Sequence, residues 1–270
     1  MILQAPIRDR LRRYVRRLAK DDELASFIRV IKKNGEPFIF GGAARDVAFG
    51  VGRLVHDLDI FVSGRVDVEE VSQVASNFRK TNFGGLRMNV GRYEVDAWEL
   101  QKSYAFRLDA PSYISIENLL RSVCFSTDGI AVSLESGRAL ASRQFCESLE
   151  ARRLDFVVPP FNFEPVVATR IARLVLKLDL EMTPSVAGYF VRCVEDFGVG
   201  NLIESEARWG NHRMLNEIAV EQVRTEIKMA IFRASEVIRA GSGEGKRGAE
   251  ELSAPRKKGP EWTGPHSTDR

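Results

Sequence analysis

The stretch His56-Asp57-Leu58-Asp59-Ile60-Phe61-Val62 narrows the fold more than any other part of the chain. It sets two carboxylates one residue apart in an apolar run. In a strand, residues i and i+2 point to the same face. Asp57 and Asp59 then lie side by side, while Leu58, Ile60 and Val62 face the core. Adjacent like charges repel, and taking them out of water is costly. A divalent cation relieves both penalties. A solvated turn is the plain alternative, because Asp is common in turns. A lone D-x-D does not choose between the two; its neighbours must.

Upstream lies Pro-Phe-Ile-Phe-Gly-Gly-Ala-Ala-Arg-Asp, from Pro37 to Asp46. Phe38–Phe40 predicts a short strand, Gly41–Gly42 a break, and the following residues a helix. Such a turn aims backbone N–H groups at an anion and removes the Cβ that would block a phosphate. Arg45, one turn into the helix, is placed to reach the same anion, and Asp46 to cap or brace the turn. Downstream, residues 67–80 predict a helix with Val68, Val71, Val74 and Ala75 inward. Leu86, Met88 and Val90 then alternate as a strand, Gly91–Arg92 turns, and Tyr93–Leu100 returns with Glu94 and Asp96 on one face. Beside the D-x-D strand, this one brings a third carboxylate to the same point. A helix over Ile114–Phe125 and a hairpin around Glu135-Ser136-Gly137 follow. Asp128 reads as a turn residue, and 144–154 as a short helix or a loop.

The flanks are helical. Residues 7–33 read as helix, with Ile7, Leu11, Tyr14, Val15 and Leu18 at helical spacing. The opposite face carries Arg8, Arg12, Arg13, Arg16 and Arg17, a solvated face or a set of phosphate contacts with nucleic acid. From Glu164 the pattern is helical again: Ile171, Leu174, Val175 and Leu178 form a stripe beside Arg170, Arg173 and Lys177. Helices continue over 184–198, 200–208 and 211–239, punctuated by Gly198, Gly200 and Gly210. Beyond Gly241 the apolar period is lost, and the chain reads as a disordered tail. The boundaries expected are 1–35 for the basic N-terminal helices, 36–158 and 159–240 for two domains, and 241–270 for the tail.

Composition excludes more than it indicates. With 40 basic and 37 acidic residues, net charge names no partner. Three cysteines, Cys124, Cys146 and Cys193, lack C-x-x-C spacing, and three histidines cannot build a His-rich metal site. The cysteine pattern fits a reducing, cytoplasmic setting. No apolar run spans a membrane, and no signal peptide or transit segment is expected. Trp98 and Phe83 read as core residues, Cys124 as buried and inert, and His56 as orienting the strand end.

In this order the parts have a chemical logic. The glycine turn and Arg45 hold a triphosphate, and Asp57, Asp59 and a third carboxylate hold two Mg²⁺ ions. Phosphoryl-type transfer needs mainly positioning and charge neutralisation. The motifs resemble those of the polymerase-β-type nucleotidyltransferases, above all class II tRNA CCA-adding enzymes and bacterial poly(A) polymerases. That family's G-G-x-x-R-D is matched by Gly41, Gly42, Arg45 and Asp46, its D-x-D by Asp57 and Asp59, and its E-V-x-x strand by Glu94-Val95-Asp96-Ala97. The resemblance makes Glu94 the expected third metal ligand, with Asp96 replacing or assisting it. It places Arg170 and Arg173, with Lys177, in the basic neck helix near the nucleotide. It implies an α+β fold: a head with a mixed β-sheet flanked by helices, a small all-α neck, and the tail. It covers residues 37 to 182 in unbroken order.

The departures are specific. Where the family carries R-D-F-T-I-N-A, this chain has Val123-Cys124-Phe125-Ser126-Thr127-Asp128-Gly129. Where the family reads the base with E-D-x-x-R, it has Phe163-Glu164-Pro165-Val166-Val167: one acid stays, and the valine at the arginine position cannot hydrogen-bond a base edge. The resemblance implies transfer of a nucleoside monophosphate from an NTP to a hydroxyl, with an RNA 3′ end as acceptor. A protein or small-molecule acceptor, or a binding module without catalysis, remains open on the sequence.

Overall fold

Tyr93–Glu99 can pair with Leu86–Val90 only in the register that the two-residue turn Gly91–Arg92 allows. The observed partners are Val90 with Tyr93, Met88 with Val95 and Arg87 with Asp96. This hairpin is the middle of a larger sheet. The computed structural model describes residues 3–51, 57–81, 84–103, 114–160, 162, 164–209, 215–216, 219–225 and 227. Contacts divide the chain into two compact units, Met1–Lys228 and Met229–Arg270, and the second lies wholly outside those residues. So do His56, Phe83 and the tail expected from Gly241; of the helix expected over 211–239, residues 219–225 are helical.

The chain opens with α1 (Ala5–Leu18) and α2 (Asp22–Ile31), then runs β1 (Pro37–Phe40), α3 (Gly42–Phe49), β2 (Asp57–Val62) and α4 (Val68–Ser72). β3 (Ser76–Lys80), β4 (Leu86–Val90), β5 (Tyr93–Glu99), α5 (Ile116–Arg121), β6 (Ile130–Ser133) and β7 (Ala139–Ala141) follow. Then come α6 (Arg143–Ala151), β8 (Arg153–Leu154), α7 (Pro165–Leu178), β9 (Glu181–Met182) and α8 (Pro184–Trp209), which is broken at Gly198 (φ 79°, ψ 159°). The seven-stranded sheet has the order β3-β4-β5-β2-β1-β6-β7. Its β2–β5 pair is parallel and the others are antiparallel, so it is mixed. The fold is α+β, with a helical region following the sheet.

Each face of the sheet has its own core. Leu58, Ile60 and Val62 of β2 are buried in the larger one, with Leu11, Tyr14, Val15 and Leu18 of α1 and the inner side of α3. Phe61 points the other way. It stacks on Phe38 (centroids 5.1 Å apart, planes within 10°) and packs with Leu119 and Leu120 of α5. Trp98 lies on this second core, as expected. Asp57 and Asp59 share the face of Phe61 but sit beyond the end of its apolar cover.

Two expectations are corrected. Residues 7–33 form two helices rather than one. Asp21 accepts the Leu24 amide (3.2 Å) and starts a new helix there. Residues 67–80 are not one helix. Asp67 caps the short α4, and Ser76–Lys80 then joins the sheet as an edge strand, where pairing with β4 outweighs weak helical periodicity. The parallel β8–β9 pair carries no sequence signal because each strand is two residues long. Phe61→Ala is expected to cost about 3–5 kcal/mol, measured by urea unfolding, because it removes a fully buried ring whose neighbours are themselves rings.

Candidate active site

The antiparallel β1–β2 pair sets the end of one strand beside the start of the other. Phe40 is the register partner of Asp59. The chain must therefore turn at Gly41 directly over the Asp59 carboxylate. Gly41 has φ 62° and ψ −128°, a conformation open to glycine. A Cβ there would lie 3.5 Å from Asp59 Oδ2, so its absence leaves the carboxylate uncovered on that side. α3 begins at once, and no side chain caps its N-terminus. Its first N–H groups are free to meet an anion.

On the other side of β2, the parallel register places Glu94 opposite Asp57 and Asp96 opposite Asp59. Four carboxylates thus share one face of two adjacent strands. Asp57 is exposed and the other three are half-buried. Burial, then the nearby Asp96 carboxylate, pushes the Asp59 carboxyl up to about 6; Asp128 adds to this, while Arg170 and Arg45 oppose it. Asp59 has no hydrogen-bond donor or ion-pair partner among the described residues.

Arg87 answers Asp96. Its Nε lies 2.5 Å from Asp96 Oδ1, and its Nη2 closes a second bond to Oδ2, a bidentate pair. The same Nε is 3.4 Å from Glu94 Oε1, and Arg79 Nη2 is 3.7 Å from that oxygen. The sequence reading missed Arg87, although the two-residue turn fixes it opposite Asp96. It expected Glu94 as the third carboxylate, with Asp96 replacing or assisting it; the register sets Glu94 beside Asp57 and Asp96 beside Asp59.

Behind the glycine turn runs a line of alternating charges. Lys177 Nζ donates to Asp46 Oδ2 (2.6 Å), whose Oδ1 accepts from Arg45 Nε (3.0 Å). Arg45 Nη1 donates to Asp128 Oδ1 (2.6 Å), whose Oδ2 accepts from Arg170 Nη2 (2.7 Å). Arg45, Asp46 and Asp128 are all buried. Burial works against the Arg45 charge, but the two aspartates outweigh it and raise its pKa. The Arg170 guanidinium also lies over the Phe125 ring, 5.5 Å from its centroid. Asp128 is the turn residue before a strand that the sequence suggests, but it is buried and holds two arginines. The α7 stripe is not a solvated face: Arg170 and Lys177 are spent as described, and Arg173 lies 3.4 Å from the buried Glu206. Arg45 turns two of its three nitrogens inward. The third, Nη2, lies 3.5 Å from where a Gly42 Cβ would be, at the edge of the turn. Cys124 is half-buried, its thiol pushed up to about 11 chiefly by desolvation, in keeping with an inert residue.

Asp57 and Asp59 are hard oxygen donors on one face, uncovered on the side of Gly41, and they suit a divalent cation. Among the described residues no group of three His, Cys, Asp or Glu side chains forms a ready cage. This donor set fits Mg²⁺, which commonly takes one or two carboxylates and completes its shell with substrate phosphates and water.

This architecture matches solved structures. The Thermotoga maritima CCA-adding enzyme complexed with tRNA superposes with a TM-score of 0.57 at 14% identity, over 80% of this chain and 53% of that one. A CCA-adding enzyme with CTP gives 0.55 at 14% identity, over 80% and 54%. A tRNA nucleotidyltransferase complexed with a primer tRNA and an incoming ATP analogue gives 0.51 at 18% identity, over 80% and 60%. The fold is that of these nucleotidyltransferases. The chain spans a little over half the length of the structures it matches. No protein-family model and no curated protein matches the sequence. Among the described residues no helix is long and apolar enough to cross a membrane.

Two outcomes follow. Asp128→Ala is expected to destabilise by about 3–5 kcal/mol, because it strands the buried Arg45, whereas Arg45→Met/Asp128→Leu should recover much of that loss in the same urea titration. The Asp59 carboxyl binds its proton more tightly folded (about 6) than its ordinary 3.8. Its charged form therefore destabilises the fold above that range. Without divalent cations, Asp59→Asn should exceed wild type by about 1–3 kcal/mol at pH 7, and the gain should vanish as pH falls from 6 to below 4.

Proposed function

We propose that the chain is a nucleotidyltransferase that moves a nucleoside monophosphate from an NTP to the 3′ hydroxyl of an RNA. The observation that carries this reading is the D-x-D pair, set by register under an uncapped helix N-terminus and beside two further carboxylates. The comparisons support it through the fold: structures of that fold are described with CTP, with an ATP analogue and with tRNA. In this reading residues 36–158 form the catalytic head and 159–240 the neck.

Each part then has a task. The amides at the start of α3, with the outer nitrogen of Arg45, receive the triphosphate. Asp46 and Asp128 hold Arg45 at the turn from behind. Asp57 and Asp59 hold Mg²⁺, which when bound lowers the pKa of the attacking hydroxyl and offsets charge on the departing pyrophosphate. Arg87 keeps Asp96 from adding a further uncompensated charge. Arg170, on α7, holds Asp128 from the far side and offsets part of the Asp59 charge. A protein or small-molecule acceptor is favoured by one observation: Val167 packs against the core where base-reading chemistry would need a donor.

The test incubates the protein with Mg²⁺ and each α-labelled NTP, with total RNA in one series and total protein in another. Label is expected on RNA with wild type and at background with Asp57→Ala/Asp59→Ala. Label on protein would replace the acceptor. No transfer from any NTP to any acceptor would sink the reading.

A further inference from the structure

α1 solves its charge problem differently from α7. Ala5–Leu18 contains six arginines and no lysine. Arg10 turns inward and donates to the Ala48 carbonyl (2.8 Å). Because Leu11, Tyr14, Val15 and Leu18 are buried, Arg8, Arg12, Arg13, Arg16 and Arg17 all face out and are exposed. Their one ion pair among the described residues is a 3.8 Å contact from Arg12 to Asp9. The β6–β7 turn adds a further guanidinium. Gly137 (φ 67°) lets that turn pass against α1: a Cβ there would lie 3.2 Å from Arg12 Cγ. Between turn and helix lies a groove of about 260 Å³, with Arg8 and Arg12 on one side, Arg138 on the other, and Leu3 and Leu140 among its lining.

Cations so close together repel one another, and among the described residues only Asp9 lies within ion-pair distance of them. We propose that this arginine face and its groove grip the phosphodiester backbone of an RNA strand, at a surface separate from the site of chemistry; this rests on the RNA acceptor proposed above. A row of phosphates neutralises several guanidiniums at once and releases its counterions. Arginine's planar fork suits phosphate oxygens better than a lysine point charge. The apolar side of α1 is already spent on the core, so no face is left to enter a lipid surface. A protein partner would want an apolar anchor at the centre of the patch, and the exposed large hydrophobics among the described residues (Val51, Val68, Ile114, Val158 and Phe197) all lie off α1. β7 is the edge strand, three strands from β2, a lateral offset of about 14 Å. α1 covers the sheet face opposite the one that carries Asp57 and Asp59, so a strand gripped at α1 rounds the β7 edge, and more than roughly four nucleotides at ~3.4 Å each separate the grip from a 3′ end at the carboxylates.

The test measures fluorescence anisotropy of a labelled single-stranded RNA of roughly 20 nucleotides across a salt series, where each phosphate contact contributes about 0.7 to the slope of log K against log salt. Full-length wild type is compared with Arg8→Gln/Arg12→Gln/Arg138→Gln and with Arg143→Gln/Arg208→Gln, whose arginines already pair with glutamates. The triple variant is expected to bind at least about tenfold more weakly, with a slope lower by about 2, while the paired-arginine variant binds as wild type. A triple variant that keeps wild-type affinity and slope overturns the proposal and leaves the RNA acceptor standing. Wild type that binds anionic phosphatidylserine vesicles or polyglutamate but not RNA overturns both. RNA binding lost in the triple variant, with no nucleotidyl transfer by wild type, supports the surface while the catalytic reading fails.

Discussion

Two carboxylates facing each other across neighbouring strands set the terms for everything around them. Asp59 and Asp96 are register partners, held at the spacing of a parallel ladder, and neither can move without breaking it. The fold answers each differently. Asp96 is closed off by the bidentate Arg87 from β4. Among the described residues Asp59 is left without a donor, under a turn from which even a methyl group is missing. The arginines that lower its cost, Arg45 and Arg170, act at a distance and are themselves bound to Asp128. A carboxylate left in deficit this way is the part of the molecule with most to gain from a cation.

The two basic helices show how little a charge pattern says on its own. α1 and α7 both carry arginines beside an apolar stripe. On α7 the positions meet Asp128, Glu206 and Asp46, so the stripe becomes a joint between the helical region and the glycine turn. On α1 the same kind of stripe meets, among the described residues, only Asp9. What separates them is the acid that the rest of the fold brings opposite.

The strand–Gly-Gly–helix unit, the D-x-D strand and the acidic hairpin were legible because each rests on local chemistry: period two, glycine's freedom and a two-residue turn. The relation of Asp57 and Asp59 to Glu94 and Asp96 was legible as a possibility, since the sequence shows which faces are acidic but not which strands are neighbours. Asp128 was not legible. Its burial depends on Arg45, 83 residues earlier, and Arg170, 42 residues later. Ser76–Lys80 was misread because an edge strand half open to solvent carries almost no alternation, and its identity comes from the partner strand.

The turn at Gly91–Arg92 has a consequence of its own. Side chains in a strand alternate, so the length of the loop joining two strands decides, as odd or even, which of them meet across the ladder. With two residues in the turn, Arg87 stands opposite Asp96, and Leu86 and Met88 point away. One residue more or less would slide an apolar side chain into that place and turn the guanidinium toward the core. The counter-charge of the acidic face is thus encoded in the parity of a two-residue loop.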